Sequence, residues 1–292
     1  MAMEEIGLGT PSGVVVPINV IRAGSNSKGT AIILPALGVR ARFYKRFACE
    51  LNAFGINTII LEQRGQGRSA EKPARRSSFG YGEYALNDLL AVINWCRKQF
   101  PETSLLAVGH SMGAHISLTL AALRPGVLDG ITMVAAGTPF YRTFTGKERR
   151  QVRLLTMLMP ALLKIFGHYP GHLFGFAGKE FPGIMRDWNS LARDDHFSFS
   201  GVSDDVEAAL TVMETPVLCL SMEGDTFAPL SSATNILDRL NMSPVTRKIL
   251  SAGDMDGFAG HFTWSKNAAP VAKHIFEWAG QAKPLKSAVK QR

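Results

Sequence analysis

Short runs rich in β-branched and other apolar residues alternate with stretches of helical periodicity along most of this 292-residue chain, and that alternation admits few folds. Strands separated by helix-length crossovers cannot pair as hairpins, so they build a mostly parallel sheet covered by helices on both faces. Residues 14–21, 30–34, 57–61, 104–108, 130–135, 216–221 and 246–250 read as strands. The spacing predicts helices over 40–54, 83–100, 114–123, 204–213, 230–240 and 268–278. The fold class is therefore α/β, a doubly wound sheet, and a hydrophobic content of 46% supplies enough material for one large core.

The alternation breaks once. Between about residues 138 and 203 the strand signals vanish and Phe, Leu, Met, Gly and Arg dominate. This predicts a core of 1–137 and 204–292 with a helical lid, 138–203, inserted between two strands. Within the lid lie ten uncharged residues, LLTMLMPALL, between Arg153 and Lys164. A membrane span needs about 20 apolar residues. The run is too short and carries Pro160, so it reads as a buried or pocket-lining helix pair, or as an interfacial segment. Leu154, Leu155, Met157, Leu158, Met159, Leu162 and Leu163, with Phe174, Phe176 and Trp188 farther on, would give such a lid a mostly apolar wall. Ordinary packing of lid against core is the plainer reading of the same residues.

The stretch LLAVGHSMGAHISLTL, residues 105–120, is an apolar run, then a glycine-flanked serine, then an apolar-periodic segment. It reads strand, tight turn, helix. A serine at the apex of such a turn is pushed out of the sheet, and the flanking glycines are needed where strand and helix leave no room for a side chain. Ser111 is thus a candidate nucleophile. Its hydroxyl needs an imidazole to take its proton, and the imidazole needs a carboxylate to fix its tautomer and stabilise its cation. Asp225 follows a later strand in SMEGDTFAP, and His261 lies in AGHFTW before the last helix. The order nucleophile, acid, base, each after its own strand, puts all three at the carboxyl edge of one parallel sheet. Asp254 and Asp256, just before His261, are the rival acids, and the GDMDG segment that holds them reads as a turn.

With these motifs the chain resembles the α/β-hydrolase superfamily over nearly all of residues 12 to 280. GHSMG resembles the nucleophile elbow, SMEGDTFAP the acid turn and GHFTW the histidine loop. LEQRGQGRS, with Arg64, Gly65, Gly67 and Ser69, resembles the turn after the following strand in lysophospholipase-like and monoacylglycerol-lipase-like branches. The resemblance implies Ser111 as nucleophile, Asp225 and His261 as its partners, and an oxyanion hole built from the backbone N–H groups of Leu37 and Met112. One departure stands out: where the superfamily usually carries His-Gly, LPALG has Pro35 and Ala36. A backbone donor survives such a change, but the loop around it need not keep its shape.

The expected activity is hydrolysis of a carboxylic ester or thioester with a lipophilic part, through an acyl-serine. An acyltransferase, or a release or cyclisation enzyme, would use the same intermediate, and a ligand receptor on a hydrolase fold is the reading from outside catalysis. No cofactor is called for, and no metal: His168, His172 and His196 lack ligand spacing. His110 and His115 read as packing and hydrogen-bonding residues. Cys49, Cys96 and Cys219, in two predicted helices and a strand, suit buried reduced thiols, and the acidic N-terminus has no apolar signal region, so a cytoplasmic location is expected.

A net charge of +8 raises the question of polyanionic partners. Its clusters, Arg142 to Lys164 and the tail Lys283, Lys286, Lys290 and Arg292, carry no nucleic-acid-binding motif. The expected partner is a small lipophilic or acyl substrate, with weak contact to a membrane surface left open. The sequence sets no oligomeric state.

Overall fold

The computed structural model describes residues 3–24 and 27–281. Its strands are β1 (Glu4–Gly9), β2 (Val15–Ile21), β3 (Gly29–Leu34), β4 (Ile56–Leu61), β5 (Leu105–His110), β6 (Gly130–Val134), β7 (Tyr169–Pro170), β8 (Lys179–Glu180), β9 (Val217–Met222) and β10 (Val245–Leu250). The helices are α1 (Lys45–Ala53), α2 (Tyr81–Glu83), α3 (Leu90–Gln99), α4 (Met112–Leu123), α5 (Gly146–Phe166), α6 (Pro182–Asp194), α7 (Val206–Val212), α8 (Leu230–Leu237) and α9 (Ala269–Gln281), with a π-helical stretch, Tyr84–Leu89, joining α2 to α3. The tail cluster from Lys283 to Arg292 lies outside the described residues.

Eight strands form one sheet in the order β1-β2-β4-β3-β5-β6-β9-β10. β1 to β2 and β2 to β4 are antiparallel, and from β4 to β10 every pairing is parallel. The central strands are buried along their whole length, as apolar runs without alternation require when both faces are covered. Phe47 and Leu51 of α1 and Val271 and Ile275 of α9 cover one face. Val92 of α3, Ile116 and Leu118 of α4 and Ile236 of α8 cover the other.

β1 escaped the sequence reading. Its six residues, EEIGLG, hold two glycines and two glutamates, a poor strand composition, and pairing with β2 at the sheet edge supplies what propensity does not. The region between β6 and β9 holds α5, the two-residue strands β7 and β8, α6 and α7. There Pro160 breaks nothing: α5 is one 21-residue helix with the proline inside, not a helix pair. Its apolar run is also not simply buried. Thr156 and Met159 are the buried positions, whereas Leu154, Met157 and Leu158 are exposed. Cys49 corrects another expectation: all three thiols are free and Cys96 and Cys219 are buried, but Cys49 is exposed on α1. Among the described residues no helix is long and apolar enough to cross a membrane.

Candidate active site

Ser111 stands between β5 and α4 with φ 52° and ψ −117°, a conformation that costs a non-glycine residue about 1–3 kcal/mol and persists where its surroundings impose it. The surroundings are visible in the two glycines. A Cβ on Gly109 would meet the Ala114 nitrogen at 2.3 Å, and one on Gly113 would meet the Leu34 carbonyl oxygen at 2.4 Å. The serine N–H is held by the Val134 carbonyl of the neighbouring strand at 3.2 Å.

Asp225 lies in the turn after β9, buried. Its Oδ1 accepts the backbone N–H groups of Phe227 and Ala228, both at 2.8 Å, and its Oδ2 lies 2.8 Å from His261 Nδ1. With the carboxylate on Nδ1, that nitrogen carries the proton and Nε2 is left as the acceptor. The rival acids lie elsewhere. Asp254 is exposed and accepts from the Ser251 N–H and hydroxyl, and Asp256 is exposed and accepts from Asn267.

Ser111 and His261 line one cavity of about 630 Å³, and so do Leu37 and Met112. Met112 is the first residue of α4, where a backbone N–H has no acceptor within the helix. Among the described residues no protein acceptor faces the Leu37 N–H either. Two contacts shape the loop that carries Leu37. Ala36 N–H donates to the Tyr44 hydroxyl at 2.8 Å. Gly38, at φ 74°, packs so closely on the turn between β7 and β8 that a Cβ would meet the Gly178 nitrogen at 2.4 Å.

His110 and His115 are buried and neutral. His110 is held far below the usual imidazole range by burial and by the neighbouring His261, and burial takes His115 down to about 4. His115 Nε2 donates to the Gly137 carbonyl at 3.0 Å. His168, His172 and His196 lie in the segment between β6 and β9, and among the described residues no three His, Cys, Asp or Glu side chains cluster as a metal site. Arg64 is buried in a structural role: it pairs with Asp88 and with Glu83, and stacks on Phe79 at 4.6 Å.

Most of the remaining cavity wall is apolar. Phe144, Leu155, Leu158, Phe174, Phe176 and Trp188 come from the segment between β6 and β9, and of the wall residues the sequence reading passed over Phe144, Phe227 and Phe262. The last two follow Asp225 and His261 so closely that the turns which hold those side chains also deliver the rings. Lys147, Glu148 and Gln151, on the first turns of α5, give the mouth a polar rim.

A family model described as serine aminopeptidase, S33, matches residues 25–172. Monoglyceride lipase of Rattus norvegicus is 29% identical over 92 residues, which are 32% of this chain and 29% of that protein, so the match spans under a third of the relative. Among solved structures, an esterase of Pyrococcus furiosus superposes with a TM-score of 0.63 at 16% identity, covering 96% of this chain and 92% of that one. The thioesterase domain from the curacin biosynthetic pathway does so at 0.60 and 17% identity, covering 95% and 100%. DcsB, solved with a substrate analogue, gives 0.65 at 17% identity, covering 96% and 99%. At such identities the likeness is one of fold.

Proposed function

Since the chain belongs to the serine aminopeptidase S33 family, an α/β-hydrolase family, we propose that it is a serine hydrolase cleaving a carboxylic ester or thioester with a lipophilic part. The observation that carries the reading is the contact of His261 Nδ1 with the buried Asp225 carboxylate, on the same cavity as the strained Ser111. In this reading Ser111 Oγ attacks the carbonyl carbon and its proton passes to His261 Nε2. The negative oxygen forms between the N–H groups of Leu37 and Met112. The C–O or C–S bond then breaks as His261 protonates the leaving group, and water, deprotonated by the same imidazole, releases the acid.

The family description speaks of an aminopeptidase, yet the cavity favours an ester. An enzyme that holds a free α-ammonium needs a desolvated carboxylate to pair it. Glu148 is the carboxylate on the wall, and it sits at the rim, 3.9 Å from Lys147. The apolar walls suit an acyl chain or a hydrophobic ring. Residues 138–203 act as the lid in this reading, and the buried free thiols Cys96 and Cys219 agree with a cytoplasmic setting.

Labelling with a fluorophosphonate probe, followed by a panel of acyl esters, thioesters and aminoacyl amides of graded size, tests the proposal. Labelling at Ser111 with turnover of esters supports it. Turnover confined to aminoacyl amides overturns the ester assignment, and absence of labelling and of turnover overturns the enzyme.

A further inference from the structure

We propose that the outward face of α5 is a docking surface for an anionic lipid bilayer. Leu154, Met157, Leu158, Ala161 and Ile165 follow the spacing i, i+3, i+4, i+7, i+11, which places them along one side of the helix. Much of that side is open to solvent: Leu154, at the edge of the cavity, is 56% exposed, Met157 69% and Ile165 66%. The opposite side packs inward through buried Thr156 and Met159 and half-buried Leu155, Leu162 and Leu163. The helix is therefore apolar on two sides and only one has a partner. Exposed apolar stretches of this extent on a folded protein mark an interaction surface.

The charges around the patch select the occupant. Lys147, Arg149, Arg150, Arg153 and Lys164 are exposed on the same helix, and Glu148 is its one acidic residue. Arg75, from the core, donates to the Lys164 and Ile165 carbonyl oxygens at the end of α5 and adds a cation there. In a symmetric dimer the same patch would face itself, bringing these cations against their copies. A bilayer with anionic headgroups satisfies both features, the apolar stripe entering the acyl boundary while the cations meet phosphates. The patch is also continuous with the cavity, since Leu154 and Leu158 belong to the stripe and line the cavity as well. A docked α5 would open the cavity mouth onto the lipid, although the docking surface stands whether or not the hydrolase reading does.

Flotation of the full chain with vesicles tests this without any turnover. The probes are vesicles of phosphatidylcholine alone and of phosphatidylcholine mixed with phosphatidylglycerol. The chain should float with the mixed vesicles and not with phosphatidylcholine alone, and raised salt should release it. Two variants lie outside the cavity wall. Met157→Ser/Ile165→Ser removes apolar contact, and Arg149→Glu/Arg150→Glu reverses charge; each should weaken binding about tenfold or more. Unchanged thermal melting and unchanged fluorophosphonate labelling would show that both variants fold. Equal flotation of wild type and both variants, or no flotation at all, overturns the proposal. So does a dimer in solution that Met157→Ser/Ile165→Ser dissolves, since it would assign the patch to a second copy of the chain.

Discussion

His110 sits directly behind His261 and holds its backbone: His110 Nε2 donates to the His261 carbonyl oxygen at 2.8 Å. On the other side of the ring Nδ1 lies 2.8 Å from the Tyr44 hydroxyl, which in turn accepts the Ala36 N–H at 2.8 Å. With the carbonyl fixing the tautomer, the directions follow: Ala36 N–H to Tyr44 oxygen, Tyr44 O–H to Nδ1, Nε2–H to the His261 carbonyl. A buried chain of three hydrogen bonds thus ties the loop of Leu37 to the loop of His261. Burial keeps the Tyr44 phenol un-ionised and the His110 imidazole neutral, as the chain of donors needs.

Tyr44→Phe removes the middle of that chain and leaves the Ala36 N–H and His110 Nδ1 buried without partners. Each such group costs about 1–3 kcal/mol, so the variant should lose that order of stability in urea unfolding. It should also lose kcat about tenfold or more with KM little changed, because the atoms that would contact the transition state are displaced and no wall residue is altered. Full kcat together with reduced stability would mean that the chain of bonds holds the fold and not the geometry of the site.

Asp225→Asn keeps the shape of the acid turn and still accepts the Phe227 and Ala228 N–H groups, but it can offer the imidazole an amide N–H in place of an acceptor. In serine proteases the corresponding change costs about 10⁴ in turnover through the wrong tautomer. A loss of that order is expected here, against near-wild-type rates for Asp254→Asn and Asp256→Asn, whose partners are Ser251 and Asn267. Steady-state rates on one activated ester decide it: a crippled Asp256→Asn beside an active Asp225→Asn would move the acid.

The contrast between those aspartates shows what the sequence could carry. Asp225 follows an unbroken apolar strand and enters a turn, and Ser111 is set between two glycines where strand meets helix, so local composition reports their surroundings. Tyr44 has no such signal. Its partners are 8 and 66 residues away, and nothing in RFYKRF separates a tyrosine that packs from one that bridges two loops. Pro160 misled for a different reason. A proline costs a helix interior about 3 kcal/mol on average, but α5 is anchored at its end by Arg75 and along its length by packing, which local propensity cannot weigh. The apolar run within α5 was legible, but which of its residues would be covered was not.

Glu180 carries a prediction about pH. It is fully buried in β8, accepts from Gln63 and Gln66 at 2.8 Å each, and burial raises its carboxyl to about 8 despite those donors. Between the ordinary carboxyl range and about pH 8, folding therefore takes up a proton at Glu180. The contribution is complete below the ordinary carboxyl range and is lost as pH rises through about 8, worth a few kcal/mol across that window. Glu180→Gln removes the ionisation. Its amide can be matched by turning over that of Gln63, whose Oε1 has no partner. Urea unfolding from pH 5 to 9 should show wild-type stability falling relative to that of the variant, and parallel curves would place the ionisation elsewhere.

Ser111→Ala should abolish ester turnover and fluorophosphonate labelling, with a loss on the order of 10³ or more, while leaving the melting temperature nearly unchanged. Ser111→Gly should be as inactive yet more stable than the alanine variant. Glycine adopts φ 52° without the penalty that any Cβ incurs there, so about 1 kcal/mol should be recovered. If the two variants melt alike, the backbone at the turn relaxes once the hydroxyl is gone.

Acyl length tests the wall. Leu155, Leu158, Phe176 and Trp188 face a cavity of about 630 Å³, with Phe176 and Trp188 in ring contact at 5.4 Å. Burying a methylene is worth about 0.8 kcal/mol, close to a fourfold gain in kcat/KM where the added group fits. From acetyl to butyryl the gain should therefore exceed tenfold, and it should continue to octanoyl or to a bulky aromatic acyl group until the wall is filled. Trp188→Ala should shift the preferred acyl group to a larger one, because removing the indole lengthens the space available, with acetyl turnover little affected. The slope also separates this wall from the outer face of α5. Activated esters in free solution read only the cavity, so the preference must persist without vesicles and in Met157→Ser/Ile165→Ser. A kcat/KM that falls steadily from acetyl to octanoyl would mean that these residues bind the α5 segment to the core above a small polar site, and the lipophilic substrate would have to be given up.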